Sequence, residues 1–346
     1  MNIILNKYNR YRTLSTHRIH NLPIAILMPH SACNCLCVMC DIWKDNKNLK
    51  QLNEADLEGL MHSLKKLGTK LVVMSGGEAL LNPKFFTLCE ILKKEKIRIC
   101  LLSTGLGILA NSEKIIHYTN EVIVSLDGDR DTHNRIRNIP LAYEKMKTGV
   151  DELKRLNPSF RVTGRSVIHR LNYTVWPEII ATAKELRLDQ ISFLPADISS
   201  HAFNREVLWT EPRKNEIRLS RDELPLLKKT LETVIKQYKR EFDTGFIAES
   251  PEKLGKIHQY YSAFYGINPF PYKKCNAPWV SVVIEADGAV RPCFFHEKMG
   301  NIHNKALEEI LNSQESVYFR KGLDIQKNET CLKCVCYLNL SPGAVV

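Results

Sequence analysis

No run of 18 apolar residues occurs in this 346-residue chain, so a membrane-spanning helix is excluded. The first 21 residues carry basic side chains but lack an apolar core followed by small residues. A secretory signal is therefore not expected, and a cytoplasmic protein is. Internal repeats and low-complexity segments are also missing, which leaves an ordinary globular architecture. No recognised nucleic-acid motif or interleaved aromatic stripe accompanies the net charge of +11. The basic residues are spread along the chain, and dense runs such as Lys93–Lys96 are mixed with acids. A solvated basic surface is the plain reading, and nucleic acid is not an expected partner. An anionic substrate or an acidic electron donor would also suit such an excess.

What the chain does have is cysteine, eleven in all. Cys33, Cys35, Cys37 and Cys40 are crowded together, Cys275 and Cys293 frame a hairpin, and Cys331, Cys334 and Cys336 form a third group. Cys89 and Cys100 stand alone in apolar surroundings and read as core thiols. Without an export signal, clustered cysteines argue for metal rather than disulfides.

An apolar content of 44% is enough to bury a sizeable core in one large domain or two. From Ile24 to about Leu194, short apolar runs alternate with amphipathic segments. The runs are Ile24–Met28, Leu71–Met74, Ile97–Leu102, Glu121–Leu126, Arg161–Ile168 and Gln190–Leu194. Their continuous apolar character predicts parallel strands covered on both faces. Helical patterns fall between them at Glu54–Leu67, Pro83–Lys94, Ser112–Tyr118, Leu141–Leu156 and Trp176–Leu186. Six βα units predict an α/β fold, a partial (β/α)6 TIM-type barrel with functional residues at the C-terminal strand ends. The expected divisions are an N-terminal extension (1–22), the barrel (23–195), a helical connector (196–274) and a small C-terminal unit (275–346). The connector holds one long helix, Arg221–Lys239, and an aromatic stretch, Tyr260–Tyr272, broken by Gly266, Pro269 and Pro271. The C-terminal unit holds a β-hairpin, Val280–Glu285 with Ala289–Arg291, turning at Asp287–Gly288.

Cys33, Cys37 and Cys40 have the spacing C-x3-C-x2-C, directly after the first strand. Three thiolates on one compact loop can ligate three irons of a cubane and leave the fourth iron open. A cysteine cluster by itself also admits zinc. Ser75-Gly76-Gly77-Glu78 ends the second strand, Ser103-Thr104-Gly105 the third and Ser125-Leu126-Asp127-Gly128 the fourth. His30, His133 and His169 also lie near strand ends, where a histidine is most often a surface or satisfied core residue.

Taken together, these segments resemble the radical S-adenosylmethionine (radical SAM) superfamily over about residues 24–195. The resemblance implies a [4Fe–4S] cluster on Cys33, Cys37 and Cys40, with Cys35 a spare or packed thiol. It implies Met39 against the adenine and Ser75, Gly76, Gly77 and Glu78 around the methionine ammonium. The glycines would let backbone carbonyls approach the ligand. Ser103, Thr104, Ser125 and Asp127 would supply further cofactor contacts, and Arg165 on the fifth strand could fork onto the methionine carboxylate.

The C-terminal pattern Cys275-x12-Gly288-x4-Cys293, then Cys331-x2-Cys334, resembles the auxiliary-cluster domain of radical enzymes, of the SPASM and shorter twitch type. Four thiolates saturate one cluster or one zinc. The full seven-cysteine form is not present, because only Cys336 follows, at the wrong spacing. One auxiliary [4Fe–4S] cluster on Cys275, Cys293, Cys331 and Cys334 is therefore expected.

The implied activity is reductive cleavage of S-adenosylmethionine to a 5′-deoxyadenosyl radical, which takes hydrogen from a substrate. The auxiliary cluster would carry electrons, and a flavodoxin or ferredoxin would donate them. Only about 20 residues precede the first strand, which favours a small-molecule substrate over a peptide or protein bound through a leader domain. The other readings are a peptide-modifying maturase, a zinc-binding scaffold and a nucleic-acid-modifying member of the same superfamily. No catalytic side chain is named by these motifs.

Overall fold

The computed structural model describes residues 3–344. Its centre is one sheet of nine strands in the order β6-β5-β4-β3-β2-β1-β7-β8-β9. The six parallel strands are β1 (Ile24–Leu27), β2 (Leu71–Met74), β3 (Arg98–Ser103), β4 (Glu121–Ser125), β5 (Arg161–Ile168) and β6 (Gln190–Pro195). They match the apolar runs closely, because β-branched and leucine-rich segments of this length bury well in a parallel sheet. Helices Glu54–Lys66, Phe85–Lys94, Ser112–Tyr118, Ala142–Leu156 and Trp176–Glu185 make the crossovers. The α/β fold and the partial barrel are thus as expected.

The strands are not covered on both faces. Ala25, Leu27, Val72, Met74, Leu101, Val122 and Val124 are wholly buried under the helices. On the other face Ile26, Val73, Ile123, Arg165, Ser192 and Leu194 are only half-buried. Six strands do not close a barrel, so the inner face stays open enough to admit a ligand. Ser125, Arg165 and Ser192 lie in register across β4, β5 and β6 on this open face.

The C-terminal hairpin is not set apart from this sheet. Strand β7 (Ser281–Ile284) pairs parallel with β1, then turns into β8 (Ala289–Arg291) and β9 (Gly300–Asn301). Gly288 takes φ +79° at the turn, and a Cβ there would lie 2.8 Å from Asn301 Oδ1. Only glycine fits both demands.

Three further differences concern helices. The N-terminal segment forms a helix, Ile3–Thr16, whose Arg10 donates to the carbonyls of Ser341 (3.0 Å) and Ala344 (2.9 Å). The long connector helix is divided into Leu224–Gln237 and Lys239–Asp243, with Pro225 in its first turn. The aromatic stretch begins inside another helix, Pro251–Ala263, capped by Ser250. From it, the Tyr261 hydroxyl accepts from Ala196 N–H (3.0 Å) and donates to Ile168 C=O (2.6 Å), which ties together the ends of β5 and β6.

His169 follows the end of β5, and His133 lies in a short helix (Arg130–Arg137) after β4; both are core residues. Each accepts a backbone N–H at Nδ1, from Asp127 and Leu171 respectively, both at 3.3 Å. Burial pulls the pKa of each imidazole down to about 3. The unfolded chain takes up protons near pH 6.5 while the folded chain does not, so stability falls as pH drops from about 6.5 toward 3. Each histidine contributes a slope of about 1.4 kcal/mol per pH unit in that window. Denaturant unfolding of His169→Gln between pH 6 and 4 should therefore show a slope shallower by about that amount. An unchanged slope would mean that His169 is not held neutral in the fold.

Candidate active site and auxiliary cysteine pocket

The cysteine loop follows β1 and is held from four sides. Gly77 N and Cα pass so close beneath it that a Cβ would lie 2.2 Å from the Ala32 carbonyl oxygen. Gly76 takes φ +115° beside the His30 carbonyl. The two glycines are therefore needed to weld β2's end to the cysteine loop, which is a different reason from approach to a ligand. Glu78 N–H completes the joint by donating to Ala32 C=O (3.0 Å).

The second side is a short helix that the apolar pattern did not reveal, Arg130–Arg137. Its start is marked by Asp129, which accepts Thr132 N–H (2.9 Å) as an N-cap. Its end grips the loop through Leu36 N–H to Arg137 C=O (3.1 Å) and Val38 N–H to Ile136 C=O (3.0 Å). The Arg137 side chain is buried and pairs with Asp127 at 2.5 Å. It also donates to Cys37 Sγ at 3.5 Å. Asp127 was expected among the cofactor contacts. Its carboxylate is fully buried, pairs with Arg137 and accepts Val167 N–H (3.2 Å).

The third side comes from the connector. Arg205 is buried, pairs with Asp197 (2.6 Å) and stacks over Trp209 at 3.9 Å. Trp209 Nε1–H donates to Asp41 Oδ2 (2.6 Å), and Arg213 donates to Val38 C=O. Met39 lies in the resulting apolar cluster with Ile136, Ile198 and Trp209. The fourth side is Asn46, which exchanges hydrogen bonds with the Cys33 backbone at 3.0 and 2.9 Å.

Within this frame Cys33 and Cys40 are half-buried, while Cys37 and Cys35 are buried. Burial pushes the Cys33 and Cys40 thiols up to about 12. Cys37 moves the other way, because the Cys35 thiol donates to it and Arg137 lies beside it. Cys35 is thus a packed thiol that supports Cys37.

Glu78 is fully buried at the end of β2. Its Oε2 accepts Thr104 N–H and Thr104 Oγ1–H, both at 2.7 Å, and Ser103 Oγ–H lies at 3.0 Å. Thr104 Oγ1 also lies 3.0 Å from Asn34 Oδ1 of the cysteine loop. Ser103 and Thr104 therefore orient Glu78. No cation pairs with Glu78 among the described residues, and burial raises its carboxyl pKa despite these donors. A buried carboxylate so placed is suited to an incoming ammonium. Ser75 is half-buried beside it, as is Ser125 on the open face. Arg165 is not joined to Glu78 by any hydrogen bond; its Nε–H donates to Ser192 Oγ at 3.4 Å.

Cys275, Cys293, Cys331 and Cys334 line one small cavity, together with Cys336 and His296. The hairpin and the C-terminal turn thus meet as their spacing suggests. Lys273 fastens the turn by donating to the carbonyls of Cys331 (3.1 Å), Leu332 (2.7 Å) and Cys334 (2.6 Å). His296 Nε2 lies 3.3 Å from Cys331 Sγ. Neither Lys273 nor His296 was singled out by spacing.

Residues 27–193 match the family model described as Radical SAM superfamily, and residues 275–335 match that of an iron-sulfur cluster-binding domain, SPASM. The chain belongs to the radical SAM superfamily. It is 22% identical over 304 residues to Fe-coproporphyrin III synthase of Methanosarcina barkeri, covering 83% of this chain and 73% of that one. It is 22% identical over 160 residues to AdoMet-dependent heme synthase of the same organism, covering 45% of each. Streptococcus suis SuiB bound to S-adenosylmethionine is similar at TM-score 0.65 and 14% identity, over 97% of this chain and 79% of that one. The structure of anSMEcpe with bound AdoMet and a peptide gives TM-score 0.65 at 18% identity, over 90% and 88%. At these identities the likeness is one of fold. As a radical SAM enzyme with a SPASM domain, the protein uses [4Fe–4S] clusters and S-adenosylmethionine. Among the described residues no helix is long and apolar enough to cross a membrane.

The buried Asp127–Arg137 pair offers a direct test of the frame. Asp127→Asn leaves a buried guanidinium unbalanced and should destabilise the protein by about 3–5 kcal/mol in denaturant unfolding. Joining it to Arg137→Met should recover part of that loss, since the unpaired charge is then gone. Equal losses in the single and double variants would show that the pair does not hold the loop.

Proposed function

We propose that this radical SAM enzyme acts on a small molecule held at the open face of the sheet, with electrons passing through an auxiliary cluster. The carrying observation is the convergence of two cysteine sets on one sheet: a three-thiol loop beside Glu78, and four thiols around one C-terminal cavity. Cys33, Cys37 and Cys40 would hold the first cluster, and Cys275, Cys293, Cys331 and Cys334 the second. When bound, the first cluster and S-adenosylmethionine would supply one-electron radical chemistry for taking hydrogen from the substrate.

The protein's own part is positioning and exclusion of water. Arg137 and Asn46 fix the cysteine loop, and Ser103 and Thr104 aim Glu78 at the cofactor ammonium. Met39, packed on Ile136 and Trp209, forms an apolar floor for the adenine. Ser125 remains a cofactor contact from the open face, while Asp127 acts through Arg137. The names of the two curated relatives, which concern coproporphyrin and heme, support a small-molecule substrate. A flavodoxin or ferredoxin is the electron donor in this reading.

Glu78→Gln keeps shape but removes the charge. Affinity for S-adenosylmethionine, measured on the anaerobically reconstituted protein, should fall about tenfold or more. Unchanged affinity would reduce Glu78 to a brace for β3.

Iron content separates the two metal sites. The reconstituted protein should hold about eight irons, and the triple change of Cys33, Cys37 and Cys40 to Ala about four. The triple variant should release no 5′-deoxyadenosine, whereas Cys35→Ala should retain most of the release. About four irons with one zinc in the unmodified protein would make the C-terminal site a structural zinc knuckle instead.

A further inference from the structure

Beside the open face, at β5 and β6, lies a cavity of about 140 Å³. Its other walls are the helix Pro251–Ala263 and the turn Cys334–Tyr337 that carries part of the auxiliary thiol set. The charged side chains on its surface are Arg165, Lys253, Lys256, Lys273 and Glu249. Four are cationic and one is acidic. Glu249 offsets part of this charge: it is buried, its Oε2 accepts Phe193 N–H (3.0 Å), it pairs with Lys253 at 3.7 Å, and the Arg165 charge also acts on it.

The cations divide by what they already bind. Lys273 is spent on the carbonyls of the cysteine turn. Lys256 gives one hydrogen bond to Tyr272 C=O (2.8 Å). Lys253 and Lys256 lie three residues apart on one helix face, 5.6 and 5.9 Å from the Tyr337 ring. Arg165 is half-buried and has no carboxylate within salt-bridge distance among the described residues; its Nε–H donates to the Ser192 hydroxyl, and Glu249 interacts with it only at longer range. A half-buried guanidinium with no carboxylate in direct contact, in a cavity where cations outnumber acids four to one, is costly unless a ligand brings counter-charge. Between the cations the walls are apolar, from Phe193, Ile257 and Val335.

We infer that this cavity binds the substrate through an anionic group, a carboxylate or a phosphate, carried on an apolar body. Arg165 takes the anion from the sheet side, and Lys253 and Lys256 take it from the helix side. The word substrate rests on the radical-enzyme reading above; the anion site itself does not. The arrangement gives the chain's basic excess a local use and seats the ligand against the wall that holds Cys334.

The test uses the reconstituted holoenzyme and three probes with one apolar body: naphthylacetate, its neutral amide and naphthyl phosphate. Calorimetry should show at least one of the anions binding about tenfold or more tightly than the amide. Which anion binds better tells carboxylate from phosphate. Lys253→Gln with Lys256→Gln, and separately Arg165→Gln, should each remove most of that preference. Equal affinity for all three probes, no binding of any, or a preference that survives these substitutions would overturn the site. Weaker S-adenosylmethionine binding in Arg165→Gln with unchanged probe binding would assign Arg165 to the cofactor carboxylate and overturn the site as drawn. Release of 5′-deoxyadenosine by the unmodified enzyme is measured in the same preparations. Its absence beside an intact anion preference would sink the radical reading alone; its presence beside no preference would sink the anion site alone.

Discussion

The cysteine loop hangs on one buried cation. Arg137 sits with its charge balanced by Asp127 and one N–H turned to Cys37 Sγ. A buried pair of this kind adds little net stability, but it fixes the partners it touches. Here it joins β4's end, the helix Arg130–Arg137 and the loop after β1. Two backbone hydrogen bonds run alongside it. If the guanidinium moved, Cys37 would lose a donor and the loop would lose its side wall. The geometry of three thiols therefore depends on two charges far from them in sequence.

Around that anchor the fold shows a consistent division. The helix-covered face of the sheet is apolar and closed, and supplies rigidity. The open face is half-buried and carries Ser125, Arg165 and Ser192 in register. Polar groups around the strand ends and the cysteine loop are spent on each other first: Ser103 and Thr104 on Glu78, Trp209 of the connector on Asp41 of the loop, Tyr261 on the ends of β5 and β6. The Glu78 carboxylate and the Arg165 guanidinium keep hydrogen bonds but, among the described residues, have no group of opposite charge in direct contact, and so mark where ligands of opposite sign belong.

Much of this was legible from residue order. The six parallel strands follow from apolar runs, and the two thiol groups follow from C-x3-C-x2-C and the hairpin spacing. The helix Arg130–Arg137 was not legible, because its sequence is polar and its only local mark is the Asp129 cap. The pairing of Asp127 with Arg137 was hidden for a related reason: Arg137 is known to be buried only once that helix is placed. Gly77 was recognised, but a further demand for glycine there was not visible, since the Ala32 carbonyl that forbids a Cβ lies on another segment. The inner face was read as covered because continuous apolar character does not tell a closed face from a lumen. Arg205 and Trp209 sit in a stretch with no periodicity, where only tertiary contacts reveal a clamp.

Strand β1 pairs with β2 on one edge and with β7 on the other, so residue 24 has its second neighbour only at residue 281. During synthesis the strand that carries the cysteine loop emerges early and stands as a bare edge while most of the chain is still being made. That edge closes when β7 arrives, and the thiols at Cys331 and Cys334 follow later still. The order of synthesis thus differs from the order in space: Cys33, Cys37 and Cys40 are made long before the strand that covers the edge beside them, and Cys331 and Cys334 after it.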